Sequence, residues 1–99
     1  MSSRTEIGRT GTEAEHVTRV KARGGVSLKF VSPGTTGMPD RLDLYPIAEE
    51  HREIVARYVQ FTECKAPGKK PRTRQARMHK KLRELGFVVN VYDGGNNEQ

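Results

Sequence analysis

The chain has 99 residues, 33% hydrophobic and 30% charged, which allows one domain with one small core. Its 18 Lys and Arg against 12 Asp and Glu leave a net charge of +6, a balance that favours a polyanionic partner, nucleic acid above all. One cysteine excludes an intramolecular disulfide and a Cys-rich zinc site; no apolar run approaches the ~20 residues that span a bilayer, and the Met-Ser-Ser-Arg start lacks the apolar core of a signal peptide, so an intracellular protein is expected.

Residues 1–10 are polar and read as a loose arm. A first helix is expected after Thr12, an N-cap residue with Glu15 three positions on, and should stop at Gly24-Gly25. Its apolar stripe is Val17 and Val20, and Glu13, four before Val17, extends that stripe at its N-terminal end. An acid on a core-facing stripe needs a reason. Residues 26–31 read as a short strand, 32–37 as a Pro- and Gly-bearing loop, and 41–45 as a second strand closed by Pro46. Residues 47–56 carry Glu49, Glu50, His51, Arg52 and Glu53; an exposed connection is expected there, with a helical turn or hairpin excursion as alternatives.

Residues 57–65 read as the third and longest strand, and 66–70 as a turn. Pro71 suits the first position of a second helix that runs to Leu85 and ends at Gly86, with Gln75, Met78, Leu82 and Leu85 as its inward stripe. Residues 87–92 read as a fourth strand and 93–99 as a polar tail. The order is α-β-β-β-α-β, an α/β fold. A helical crossover between the last two strands requires at least one parallel pair.

Side chains alternate along a strand, so Glu63 and Lys65 share a face and Cys64, read as core filler, points the other way. A carboxylate beside an ammonium is either a surface ion pair of little worth or half of a hydrolytic site. Asp40, in Gly37-Met38-Pro39-Asp40 at the start of the second strand, favours the site. Phosphodiester hydrolysis at a carboxylate site is served by a Mg²⁺-type cation on hard oxygen ligands. Asp40 and Glu63 supply carboxylates, the backbone carbonyl of Cys64 a further oxygen, and Lys65 a group to orient or deprotonate water. Glu13 and Gln75 each sit at the N-terminal end of an apolar stripe, where a helix could aim them at one end of the sheet.

No acid lies between Glu63 and Glu84, while Lys69, Lys70, Arg72, Arg74, Arg77, Lys80 and Lys81 all do. A helix so biased reads as a phosphate-binding surface. Aromatic residues are too sparse for a base-stacking platform. His16, His51 and His79 lack ligand spacing and read as surface or boundary residues.

With these blocks in order, the chain resembles the virus-type replication-repair nuclease domain (VRR-NUC), a branch of the PD-(D/E)xK nucleases. The blocks are Glu13 leading into Val20-Lys21-Ala22-Arg23-Gly24-Gly25, Lys29-Phe30-Val31-Ser32-Pro33-Gly34, and Gly37-Met38-Pro39-Asp40-Arg41-Leu42. They continue through Glu63-Cys64-Lys65-Ala66-Pro67-Gly68-Lys69-Lys70-Pro71, Gln75, and Leu82-Arg83-Glu84-Leu85-Gly86-Phe87. The resemblance covers about residues 12–93 and implies a restriction-endonuclease-like core, a mixed four-stranded sheet flanked by helices. It implies Glu13, Asp40, Glu63 and Lys65 as the metal and catalytic set, Gln75 as an added helix residue, and Mg²⁺ or Mn²⁺ as cofactor. It also implies a homodimer acting on branched DNA in the cytoplasm of a bacterial or phage-infected cell. Cys64 departs from the Leu-like residue usual in the family, and residues 47–56 are longer and more charged than a tight hairpin. A DNA-binding module that does not cut, or a nicking or end-processing nuclease, are the other readings.

Overall fold

The computed structural model describes residues 9–31 and 34–94. It divides into two compact units, Met1–Tyr45 and Pro46–Gln99, each taken here by itself. The arm expected at 1–10 lies outside the described residues up to residue 8, as do Ser32 and Pro33 of the loop and residues 95–99 of the tail.

The first unit is a helix, α1 (Arg9–Ala22), followed by an antiparallel pair, β1 (Val26–Lys29) and β2 (Arg41–Leu44). The helix starts earlier than its capping pattern predicted. Gly11 costs a helix about 1 kcal/mol relative to Ala but does not stop it, so Thr12 and Glu15 lie inside α1 and not at its cap. The end is as expected: the amides of Arg23 and Gly25 both reach the Val20 carbonyl, at 3.1 and 3.0 Å, and Gly24 takes a left-handed φ of 82°.

Gly25 is there for space. A Cβ at this position would stand 2.5 Å from the Leu44 carbonyl oxygen and 2.8 Å from the Tyr45 ring, so only glycine lets the chain enter β1 against the end of β2. Val20 and Leu44 are buried beside this crossing, and the Arg23 guanidinium lies 4.3 Å over the Tyr45 ring. In register, Ser27 faces Asp43 and Lys29 faces Arg41; the amide of Phe30 adds a last bond, 3.0 Å, to the Asp40 carbonyl.

The second unit begins with a 3₁₀ turn (Glu49–His51) that runs into α2 (Arg52–Tyr58). The exposed connection expected at 47–56 is therefore helical, and the third strand does not start at residue 57 but at Gln60. Acids in the first turns (Glu49, Glu50 and Glu53) with Arg57 in the last suit the helix dipole. The Arg52 Nε–H donates to the Ile47 carbonyl at 2.9 Å, and the Ile47 amide to the Leu85 carbonyl at 2.8 Å, which pins the segment to the end of the next helix.

After β3 (Gln60–Cys64), the chain crosses over through α3 (Thr73–Leu85) to β4 (Val88–Tyr92), and β3 and β4 pair in parallel as the crossover requires. Arg72 is the N-cap of α3, so Pro71 precedes the helix instead of opening it. Gly86 ends it at φ 110°, and the Phe87 amide returns to the Leu82 carbonyl at 3.1 Å. Leu82, Leu85 and Val89 form the core, with Phe61 and Phe87 edge to face at 5.7 Å.

Alternation along β3 turns Phe61 and Glu63 inward and leaves Gln60, Thr62 and Cys64 exposed. Cys64 is thus on the open face of a sheet covered by α3 on its other side, and it is not core filler. Met78 is 40% exposed; the inward place on α3 belongs to His79. The strands form two two-stranded sheets, one antiparallel and one parallel, where a single four-stranded sheet was expected. Among the described residues, backbone ladders join β1 to β2 and β3 to β4. Among the described residues, no helix is long and apolar enough to cross a membrane.

Candidate active site

Glu63 is the centre of a polar cluster in the second unit. Its place near the end of β3 and its inward face put it under the first turns of α3, where Gln75 and His79, one helical turn apart, meet it. The Gln75 Nε2–H donates to Glu63 Oε2 at 2.8 Å, and the Gln75 Oε1 accepts the backbone N–H of Arg72 at 2.9 Å. His79 Nε2 lies 3.3 Å from Glu63 Oε1. A carboxylate only accepts, so Nε2 carries the proton there. Lys65, two residues along the same face, holds its Nζ 3.8 Å from Glu63 Oε2.

The same-face expectation for Glu63 and Lys65 holds, and the added helix residue Gln75 comes to Glu63. His79, expected at the surface or a boundary, is instead buried, because its ring has Glu63 to bond. Its spacing was a usable signal, since 75, 79 and 82 follow a four-then-three step as good as 75, 78 and 82.

The other candidates occupy the first unit. Glu13 is half-buried, and its Oε2 pairs with the Arg41 guanidinium at 3.6 Å. This pairing is a physical reason for an acid on the inward stripe. Asp40 is exposed and lines a shallow pocket with Thr12, Glu13 and His16.

Next to these lies a network that the sequence did not suggest. Ser27 donates to Asp43 Oδ1 at 2.7 Å, His16 Nε2–H donates to Asp43 Oδ2 at 2.8 Å, and Arg41 Nε–H reaches Ser27 Oγ at 3.4 Å. The Ser27 hydrogen bond is the main cause that holds the Asp43 carboxyl below its ordinary range; burial opposes it, and the His16 hydrogen bond with the charges of His16 and Arg41 adds to it. His16 is the boundary residue expected, its side chain 44% exposed, and it is tied through Asp43 to a strand.

The donor set suits a hard divalent cation. Each Glu63 oxygen takes one close hydrogen bond from α3 and keeps a lone pair for an ion. Among the described residues, no three His, Cys, Asp or Glu side chains gather closely enough to hold an ion. Mg²⁺ commonly uses one or two carboxylates and fills its shell with water and substrate phosphate oxygens.

Lys69, Lys70, Arg72, Arg74, Arg77, Lys80 and Lys81 are all exposed, and of these Lys80 pairs with Glu84 at 3.8 Å. An open groove is lined by Arg72, Thr73, Arg74, Gln75 and Arg77, and Gln75 also lines the pocket over Glu63.

These features define a mixed α/β protein in which an acid and a lysine end a parallel strand and the crossover helix holds the acid. The chain is 44% identical over 81 residues to the protein named "Putative nuclease p44" of Acyrthosiphon pisum secondary endosymbiont phage 1, a match covering 82% of this chain and 77% of that protein. It belongs to the family of that phage protein. No family model and no solved structure matches the chain.

Proposed function

We propose that the chain is a metal-dependent deoxyribonuclease of the VRR-NUC type within the PD-(D/E)xK nucleases, selective for branched DNA and acting as a homodimer in the cytoplasm of a bacterial or phage-infected cell. The observation that carries the reading is the Glu63–Lys65 pair at the end of β3, with Gln75 bonded to Glu63 at 2.8 Å. The name of the phage relative supports nuclease activity. The Pro39-Asp40 and Glu63-Cys64-Lys65 blocks support the finer assignment.

Asp40 and Glu63 would hold Mg²⁺ or Mn²⁺ with the Cys64 backbone carbonyl, and Glu13 would support the ion or its water. When bound, such an ion polarises the phosphate and acidifies a water. Lys65 Nζ, 3.8 Å from Glu63, would steer the attacking water as an ammonium, or take its proton as the neutral amine, and in the charged form would offset charge that builds on the phosphate oxygens. Gln75 holds Glu63 in place through a side chain itself anchored on the Arg72 amide. The exposed Lys and Arg residues around α3 grip the DNA backbone, which carries no sequence information and fits cutting by structure.

The test is cleavage of labelled four-way junction, flap, duplex and single-stranded DNA with Mg²⁺, Mn²⁺ or EDTA, by wild type, Lys65→Ala and Asp40→Asn. Metal-dependent cutting, fastest on the junction and lost in both variants, is the expected result. Junction binding without cutting under any metal would replace this reading with a DNA-binding module that does not cut.

A further inference from the structure

His79 is the one buried polar residue among the described residues, 7% exposed on a helix face otherwise inward through Leu82 and Leu85. Burying an imidazole among apolar neighbours costs free energy unless it is hydrogen-bonded, and a leucine would fill such a site more cheaply. Its bond is to Glu63: Nε2 stands 3.3 Å from Oε1, while Gln75 holds Oε2 at 2.8 Å. Two donors one helical turn apart on one rigid helix therefore take one oxygen each. A single donor leaves a carboxylate free to rotate about its last bond. Two donors on different oxygens fix both the plane and the tilt.

We propose that His79 is a positioning residue that sets the orientation of the Glu63 carboxylate for the divalent cation. This rests on the metal-dependent reading above. Orienting partners behind metal-binding carboxylates carry about 10- to 100-fold in metal affinity or activity. His79 touches neither substrate nor ion in this role and acts through Glu63 alone.

The test measures Mn²⁺ affinity by electron paramagnetic resonance, with no DNA present, and kcat against KM on a labelled junction at one fixed pH. Wild type, Glu63→Gln, His79→Leu and His79→Gln are compared, each after a thermal melt. His79→Leu should melt no lower than wild type, because an apolar side chain suits the site. It should nevertheless bind Mn²⁺ about 10- to 100-fold more weakly and lose kcat with KM little changed. His79→Gln keeps an N–H at a similar reach and should recover most of both.

Wild-type Mn²⁺ affinity in His79→Leu, or no recovery in a folded His79→Gln, would overturn the assignment while leaving the nuclease reading intact. No Mn²⁺ binding by wild type, or binding unchanged in Glu63→Gln, would overturn both. Should His79→Leu not fold, His79→Met carries the same loss of donor and takes its place.

Discussion

Gln75 bridges Glu63 and the start of its own helix: its Nε2–H donates to Glu63 Oε2 at 2.8 Å, and its Oε1 accepts the Arg72 amide at 2.9 Å. The side-chain amide thus has its two ends assigned by two different partners, and the carboxylate is tied to the first turn of α3. Gln75→Glu would replace the donor with a second carboxylate facing the first. It is expected to lower Mg²⁺-dependent cleavage by about 10- to 100-fold, read as single-turnover rate on junction DNA. Gln75→Ala should lose the cap contact as well, worth about 1 kcal/mol, and melt lower.

On the proposed reading, the exposed arginines around the α3 N-terminus hold phosphate and so should set a salt dependence. Arg74→Ala and Arg77→Ala should each weaken duplex and junction binding alike, since a phosphate contact does not read base sequence. Each should reduce the slope of log K against log salt by about 0.9. Fluorescence anisotropy in EDTA, with cleavage silenced, provides the measurement. Unchanged slopes in both variants would remove this surface from the interface.

Asp43 couples the first unit to pH. Its carboxyl is held below the ordinary value of 3.8, first by the Ser27 hydroxyl. A depressed folded-state value means that the contribution is present above 3.8 and is lost as pH falls through the folded value. Asp43→Asn should therefore cost about 1 kcal/mol near neutrality, a modest figure given the partial exposure of the group. The gap between wild type and variant should close as pH falls from 3.8 through the lower folded-state value. Paired melts across that range would show it, and a gap that widened in acid would contradict the sign.

Gly25 and Gly86 fail for different reasons when given a side chain. Gly86 sits at φ 110°, and a Cβ there would also stand 2.7 Å from Arg52 Nε, a side chain that can shift where a backbone oxygen cannot, so Gly86→Ala should cost about 1–2 kcal/mol, and Gly86→Asn less, because Asn tolerates the left-handed region better. Gly25→Ala drives a Cβ to 2.5 Å from the Leu44 backbone oxygen, which cannot swing aside, and should lose about 1–3 kcal/mol. Urea melts of the three variants would rank them.

Local chemistry was legible in the residue order. The Gly24-Gly25 and Gly86 stops, the crossover that makes β3 and β4 parallel, and the shared face of Glu63 and Lys65 all follow from backbone rules acting over a few positions. Those rules need no partner from elsewhere in the chain. What hid from that reading depends on which neighbour a side chain meets. Residues 47–56 were ambiguous because a charged run suits either an open loop or a helix, and the tie of Ile47 and Arg52 to their neighbours goes with the helical form. Cys64 has the composition of a core residue, yet α3 covers only the opposite face of its sheet. Met78 and His79 fit the stripe equally well by period; burial went to the histidine, which has Glu63 to bond. The Ser27–Asp43–His16 network joins residues 16 and 27 positions apart, a distance over which no sequence period runs, so only strand register and helix docking bring those side chains within hydrogen-bond reach.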